Sequence, residues 1–181
     1  GCTILAAVSV IETIDTIPGM ENRAGIKWVN DILIDDAKIC GVIAHTQSQG
    51  ETVTGVVLGI GMNLKASPEI NPTPFVPRVG AIADYLPGKI NCGSKSVFQV
   101  LKDRLSLNSQ LLINNGYSEL LKRYNSRSII IGKSVTIYPD NERESLEHPI
   151  IGVVESIGEN LELHISGTKK LITSGRLVLN R

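Results

Sequence analysis

Three polar residues interrupt an apolar run near the start of the chain, and their types could bind an anionic ligand. Residues 26–34 read IKWVNDILI, so a cation (Lys27), an amide (Asn30) and a carboxylate (Asp31) lie within an otherwise apolar segment. Burying such groups without partners costs free energy, so each of them should contact a partner. That partner is either another part of the chain, through an ion pair and turn hydrogen bonds that anchor a strand end, or a bound ligand.

Lys38 is a second candidate for binding an anion. It follows the turn-forming pair Asp35 and Asp36 and precedes an apolar segment that contains Gly41. A lysine at the end of a sheet can aim its ammonium at an anionic group. The alternative is an ordinary solvated lysine after a turn, which is the commoner environment of this residue type.

The third candidate is the sequence GIGMN at residues 59–63, where an apolar segment ends. Gly59 and Gly61 would let a ligand approach the backbone closely, and Asn63 can offer both a donor and an acceptor to a planar heterocycle. The pattern lacks the third glycine and the following helix of a dinucleotide fingerprint. A bulge or a tight turn therefore explains the two glycines equally well.

Several classes of site and of protein are disfavoured. The sequence contains no GxSxG, HExxH or GxxxxGK[ST] motif, which argues against a hydrolase, a zincin and a P-loop protein. The cysteines and histidines have no metal-ligand spacing, and the cysteines form neither an even set nor a CxxC pair, which favours a reducing compartment. These residues are Cys2, Cys40, Cys92, His45, His148 and His164.

Charge and hydropathy further limit the classes of partner that the chain could bind. Among the 181 residues, 18 Lys and Arg balance 18 Asp and Glu, so the basic field of a general nucleic-acid binder is missing. No apolar run approaches the roughly 18 residues that span a bilayer, and the amino end does not have the layout of a secretory signal. We expect a cytoplasmic protein that binds neither nucleic acid nor membranes.

The elements that must position these residues can be predicted from periodicity. Apolar residues at steps of three and four predict a helix with one buried face over 3–17, and short β-branched runs predict strands of one sheet. Prolines and glycines recur from 66 to 93 and predict a long connection, and two helices should follow it. The predicted strands cover 26–34, 39–45 and 53–62, and the predicted later helices cover 97–112 and 117–124.

After Ser126 the pattern changes to short alternating segments separated by glycines, which is typical of a small barrel of about five strands. We place a domain boundary near residue 129. The predicted fold class is α+β, with a mixed sheet and helices in residues 1–128 and a small β-barrel in residues 129–181.

These residues together resemble a known family. Residues 27–45 (KWVNDILIDDAKICGVIAH) followed by residues 56–63 (VVLGIGMN) resemble the biotin protein ligases, whose pattern runs KWPNDI, a short hairpin, K-[LIV]-x-G-[IV]-[LIV] and a later GIGINV-like segment. The order, the spacing and the small β-domain agree. The resemblance implies the biotin and lipoyl ligase fold, similar to class II synthetases, with an SH3-like C-terminal barrel.

The resemblance also implies an activity and roles for residues. Biotin protein ligases use Mg²⁺ and ATP to make biotinyl-5′-AMP, and they pass biotin to a lysine of a carboxylase carrier domain. By position, Lys38 matches the lysine that contacts the biotin carboxyl and the adenylate phosphate, and Trp28 matches a packing residue. The other matches are Asn30 and Asp31 beside the adenylate, Gly41 and Ile43 beside the biotin ring system, and Gly59, Gly61 and Asn63 on the nucleotide side.

The sequence also departs from the family. Val29 replaces the family's proline, and the glycine- and arginine-rich loop (GRGRxGR) that closes over biotin does not occur in it. The chain resembles the latter two-thirds of a ligase, so we expect little activity from it alone and an exposed sheet edge that pairs with a second copy or a partner chain. A fragment, a degenerate relative, a lipoyl or octanoyl transferase and a noncatalytic carrier-binding module remain alternatives.

Overall fold

The computed structural model describes residues 1–50, 52–86, 93–138 and 149–180. Cys92, His148 and the last part of the predicted connection lie outside these ranges. The helices are α1 (Cys2–Asp15), a 3₁₀ helix (Ile82–Tyr85), α2 (Ser94–Ile113) and α3 (Tyr117–Ser126). The strands are β1 (Gly25–Lys27), β2 (Asp31–Ile34), β3 (Ala37–Gln49), β4 (Thr52–Met62), β5 (Ser134–Tyr138), β6 (Ile150–Ile157), β7 (Leu163–Ile165) and β8 (Arg176–Leu179).

Helix α1 forms the centre of the larger part of the molecule. The prediction of a helix here is confirmed, but the helix is buried on nearly all sides instead of on one face. The reason is that α1 contacts the first sheet on one side and both α2 and α3 on the other. Its polar Thr13 is accommodated because its hydroxyl donates to the carbonyl of Ser9 at 2.7 Å.

The first sheet has the order β1-β2-β3-β4, and each pair of neighbours is antiparallel. The prediction of one strand over 26–34 is wrong: the chain reverses at Trp28–Asn30, where the Trp28–Val29 peptide bond is cis, and forms a hairpin. Val29 therefore lies in a turn and not in a strand. The sequence gives no sign of this reversal because both strands of the hairpin are buried, so the segment reads as one unbroken apolar run.

Strands β3 and β4 form a hairpin that extends beyond the predicted segments, to a turn at Gly50 with a φ of +61°. Near the core the faces of β3 alternate: Cys40 and Val42 are buried, whereas Ile43 is 55% exposed. From Thr46 onward both faces are exposed, so the distal part of the hairpin projects away from the core.

The carboxyl-terminal part contains a second antiparallel sheet with the order β7-β6-β5-β8. The expected barrel of about five strands is not confirmed, since the described strands do not close and the segment near Ile172 makes only a bridge to Leu163. The expected mixed sheet is also not seen: among the described residues, parallel pairing is limited to isolated bridges such as Lys38 with Val79.

The two parts of the chain share one buried cluster. The indole nitrogen of Trp28 donates to the carbonyl of Leu161 at 2.7 Å, and the amide of Asn125 donates to the carbonyl of Ile157 at 3.3 Å. The predicted domain boundary near residue 129 therefore separates two parts whose buried apolar side chains form one continuous cluster. No helix in the described ranges is long and apolar enough to cross a membrane.

Candidate functional site

The predicted site residues meet on the face of the first sheet that is turned away from α1. Strand register places Lys27 opposite Asp31, Asp31 opposite Gly41, and Gly41 opposite Gly61. Paired residues of antiparallel strands lie on the same face, so these four form a line across all four strands. The structure therefore brings together residues that are up to 34 positions apart in the sequence.

A β-bulge decides which residues share this face with Lys38. Lys38 pairs with Leu33, but Cys40 pairs with Ile32, so Ile39 is an extra residue in β3. In a regular strand Lys38 would lie on the face of Cys40. The bulge instead places Lys38 on the face of Gly41, which regular alternation then extends to Ile43.

Lys38 and Asp31 form an ion pair at the centre of the face. Their Nζ and Oδ1 atoms lie 2.5 Å apart, and the side chains are 31% and 18% exposed. Gly41 allows this contact, because a Cβ there would lie 3.3 Å from both Cε and Nζ of Lys38 and 3.6 Å from Oδ1 of Asp31. The pair is thus accessible from solvent while its charges are partly desolvated.

Three glycines, Gly41, Gly59 and Gly61, leave the face beside the ion pair without large side chains; we call them the glycine floor. A Cβ at Gly61 would meet no atom within 4 Å, and a Cβ at Gly59 would come only within 3.9 Å of Ile43. Ile43 pairs with Gly59 and borders the floor with an exposed apolar side chain. A flat apolar group can therefore lie directly against the backbone here.

The two asparagines of the predicted site have structural contacts. Asn30 holds the β1–β2 turn against β3: its side-chain amide donates to the backbone carbonyl of Val42 at 2.8 Å, and its backbone carbonyl accepts from the backbone N–H of Val42 at 2.9 Å. Asn63 donates its side-chain amide to the carbonyl of Gly80 at 3.0 Å. It thereby ties the end of β4 to the connection that follows.

The β2–β3 turn before Lys38 is held by charged side chains. Arg78 donates to the carbonyl of Asp35 at 2.6 Å, and Arg23 lies 3.3 Å from the Asp35 carboxylate. The backbone of Lys38 is bonded on both sides by the connection, to Arg78 and to Gly80. These contacts fix the backbone position of the lysine that carries the candidate chemistry.

Lys27, one of the three polar residues in the apolar run, belongs to the site although the family resemblance assigned it no role. Its side chain is only 7% exposed, and its Nζ donates to the carbonyl of Phe75 at 2.5 Å. Burial lowers the pKa of Lys27, an effect that the nearby carboxylate of Asp31 opposes and the cation of Lys38 reinforces. The sequence signal was a lysine inside an apolar run, but its partner lies 48 residues away.

A cavity of about 670 Å³ adjoins the site at the β1 edge. Lys27 and Leu33 line it from the first sheet, and Lys133 and Leu179 line it from the carboxyl-terminal part. A cavity of this size is in the range that holds small-molecule ligands. The described residues contain no cluster of three or more His, Cys, Asp or Glu side chains that could hold a metal ion.

The site combines two lysine cations, which lie on either side of one carboxylate, with the flat apolar surface of the glycine floor. Lys27 and Lys38 flank the single carboxylate of Asp31, so the line carries a net positive charge when both lysines are protonated. A ligand with an anionic group at this line and a planar body over the glycine floor would satisfy both features.

Comparison with known proteins gives the following similarities. The model of the Biotin/lipoate A/B protein ligase family matches residues 2–63. The Bifunctional ligase/repressor BirA of Bacillus subtilis is 39% identical over 66 residues, which are 36% of this chain and 20% of that protein. A Biotin--[acetyl-CoA-carboxylase] ligase of Mycobacterium tuberculosis is 23% identical over 176 residues, 96% of this chain and 59% of that protein.

Solved structures share the fold. The apo structure of a biotin protein ligase from Aquifex aeolicus has a TM-score of 0.73 at 20% identity, over 98% of this chain and 73% of that one. A complex of the Aquifex aeolicus protein with biotin and ATP has a TM-score of 0.71 at 21% identity, over 99% and 70%. The chain spans from about a fifth to less than two thirds of the curated relatives described above.

Proposed function

We propose, from the match of the Biotin/lipoate A/B protein ligase family model to residues 2–63 and the similarity to BirA of Bacillus subtilis, that the chain is a member of this family and carries the chemistry of a biotin–protein ligase. In the proposed reaction biotin and ATP form biotinyl-5′-AMP. The biotinyl group then passes to a lysine of the carrier domain of a carboxylase, the partner class in the name of the mycobacterial relative. We place this reaction in the cytoplasm.

The proposed reaction has two balanced steps. A carboxylate oxygen of biotin bonds to the α-phosphorus of ATP, and pyrophosphate leaves with the electrons of the broken bond. The neutral amine of the carrier lysine then attacks the biotinyl carbonyl carbon, AMP leaves, and the amine proton is released to solvent. Catalysis of such transfers depends on positioning and on electrostatic stabilisation of charge more than on covalent chemistry by the protein.

Lys38 is the residue to which we assign that stabilisation. Its ammonium is held by Asp31 at 2.5 Å, and the glycine at position 41 keeps its approach open. In the proposed complex the ammonium contacts the biotin carboxylate and the α-phosphate, where negative charge accumulates in the transition state. Asn30 and Asp31 border the adenylate.

The glycine floor and its neighbours provide the remaining contacts in the proposal. The ring system of biotin lies against Gly41 and Ile43, which share one face of β3. The nucleotide lies toward Gly59, Gly61 and Asn63 at the end of β4. Mg²⁺ enters as part of the Mg-ATP substrate, since ions of this kind are bound chiefly through substrate phosphates and water.

The carboxyl-terminal part has a supporting role in this proposal. We retain the division into a catalytic unit (1–128) and a carboxyl-terminal, SH3-like unit (129–181) as a hypothesis. The second unit contributes Lys133 and Leu179 to the cavity beside the site. It assists engagement of the nucleotide or the carrier and does not contain the reacting groups.

The observation that carries the proposal is the convergence of Lys38, Asp31 and the glycine floor on one sheet face. The test is binding of a nonhydrolysable biotinyl-adenylate analogue to the purified chain, followed by calorimetry, beside the matching lipoyl analogue. We expect the biotinyl analogue to bind more tightly, and Lys38→Met to weaken it by about 10²-fold, the loss typical of one preorganised charge contact.

The matched control is Lys102→Met, which removes an exposed lysine of α2 and should leave the affinity unchanged. Tighter binding of the lipoyl analogue would move the chain to the lipoyl or octanoyl transferases. Binding of a carboxylase carrier domain without binding of either analogue would identify a noncatalytic carrier-binding module.

A further inference from the structure

One residue of the connection between β4 and α2 contacts both sheets. The backbone carbonyl of Phe75 accepts the hydrogen bond from Lys27 at 2.5 Å. Its ring packs edge-on against Tyr138 of β5, with centroids 5.5 Å apart, and the guanidinium of Arg176 of β8 lies 4.4 Å from its centroid. Phe75 is therefore held from the carboxyl-terminal sheet and in turn holds a lysine of the first sheet.

The local backbone makes the ring and the carbonyl of Phe75 move together. Within residues 73–76, the amide of Thr73 donates to the carbonyl of Val76 at 3.1 Å, and the amide of Val76 donates to the hydroxyl of Thr73 at 3.0 Å. Pro74 has a fixed φ directly before Phe75, and Pro77 restricts the backbone of Val76 directly after it. These constraints limit how far the turn can adjust, so we expect a shift of the ring to displace the carbonyl as well.

Lys27 depends on that carbonyl because its ammonium is almost entirely buried. A buried ammonium without hydrogen-bond acceptors is strongly unfavourable. The charged groups that face it are Asp31 from β2 and Lys38 from β3. Further charged residues line the adjoining cavity: Arg23, Asp35, Asp36, Arg127 and Lys133.

We infer that Phe75 is a positioning residue, through which the carboxyl-terminal sheet holds the ammonium of Lys27 beside the Asp31–Lys38 pair. The pair alone is neutral, and the ammonium of Lys27 makes the line positive. The carboxyl-terminal sheet thereby sets how strongly the site attracts an anion. The coupling is a property of the fold, and only its consequence for ligand binding rests on the proposed function.

The test is the titration of Lys27 followed by NMR of its side-chain Cε and Nζ, with the signal assigned by Lys27→Arg. Phe75→Leu keeps the apolar bulk but removes the aromatic ring, and Arg176→Gln removes the cation over it. In both variants we expect Lys27 to lose its fixed acceptor and become hydrated, and its titration midpoint to rise toward that of an exposed lysine because its burial is relieved. Phe75→Tyr should restore the wild-type midpoint.

The chain offers a matched control in Phe98, its second phenylalanine, which lies on α2 and is 67% exposed. Phe98→Leu should leave the midpoint of Lys27 unchanged. The inference is overturned if Phe75→Leu and Arg176→Gln both leave that midpoint at the wild-type value. If circular dichroism shows that Phe75→Leu does not fold, the titration midpoint of Lys27 in Arg176→Gln decides the test. This variant should fold, because Arg176 is exposed and lies outside the core.

A second measurement separates the coupling from the proposed function. Affinity for the biotinyl-adenylate analogue should fall by about threefold or more in Phe75→Leu, the size expected of coupling through a positioning contact. Failure of the wild-type chain to bind the analogue would contradict the proposed function, and the titration would still decide the coupling. If Phe75→Leu shifts the titration of Lys27 but binds the analogue with wild-type affinity, Phe75 positions Lys27 without influencing ligand binding. That result would overturn the inferred link between Phe75 and the ligand.

Discussion

The ammonium of Lys38 contacts the carboxylate of Asp31 at 2.5 Å, above Gly41 of β3, where an added Cβ would lie only 3.3 Å from the lysine Nζ. The bulge at Ile39 brings this position, Gly41, onto the same face as Lys38. Lys38 thus shares a face with Asp31 and the glycine floor because of one extra residue in one strand.

Gly41→Ala should separate ligand binding from folding. The added Cβ would lie 3.3 Å from the Lys38 ammonium and shift it away from the glycine floor, which should weaken binding of the biotinyl-adenylate analogue by about tenfold or more. Stability in urea should not fall, because alanine reduces the backbone entropy of the unfolded chain. Gly55→Ala, on β4 but outside the site, is the control, since its Cβ would approach nothing closer than 3.8 Å. Equal affinities for the two variants would contradict the role of Gly41.

Cys40 should make the chain less stable in alkali. Burial raises the pKa of its thiol from 9.0 to about 12. Above pH 9 the unfolded thiol ionises while the folded thiol remains neutral, so the unfolded state binds fewer protons and stability falls as the pH rises. We expect this thiol to lower the free energy of unfolding by about 1.4 kcal/mol per pH unit between roughly pH 9 and 12.

The measurement is urea unfolding of wild type and Cys40→Ala at several pH values from 8 to 11. The absolute stability of Cys40→Ala will be lower because of the cavity, so the two slopes against pH are compared. Buried Tyr124, whose pKa is also raised, contributes to both slopes and cancels in the difference. Identical slopes would show that the thiol ionises equally easily in the folded chain.

Trp28→Phe should destabilise the contact between the two parts of the chain. The substitution removes the donor that the indole supplies to Leu161 at 2.7 Å and leaves that carbonyl without this hydrogen bond. The expected loss is about 1–2 kcal/mol of unfolding free energy, measured in urea. Thr54→Val removes an exposed hydroxyl donor in the distal hairpin and should change stability by less than about 0.5 kcal/mol. Similar losses in both variants would rule out a special role for the Trp28 contact.

The outer edge of β4 should promote self-association. Among the described strands, β4 lies at the end of the first sheet, and Val56 and Val57 are 43% and 70% exposed. Unprotected edges of this kind pair with other chains. Light scattering after size-exclusion chromatography should show oligomers of the wild-type chain that dissociate when Val56→Lys and Val57→Lys are combined. Leu171→Lys, at an exposed site in the carboxyl-terminal part, should leave them intact, and a wild type that is monomeric at high concentration would refute this prediction.

Local sequence pattern was sufficient for most of the helices and for parts of the strands. Helix α1, the helices after the connection and the cores of β3 and β4 follow from periodicity, because burial of one face imposes a repeat on the residues themselves. Asp31 could be selected because a carboxylate is unfavourable inside an apolar strand without a partner, whereas Lys38 was selected from its place after a turn and Gly41 from the family resemblance.

Tertiary structure alone decided how these residues face one another. The reversal at Trp28–Asn30 was hidden because both arms of the hairpin are buried, and the alternating carboxyl-terminal segments did not show whether their sheet closes. The bulge at Ile39 and the contact of Lys27 with Phe75 have no local signature. Register and long-range hydrogen bonds depend on the strand or loop that packs opposite, and a pattern along one segment reports only whether each side chain is buried.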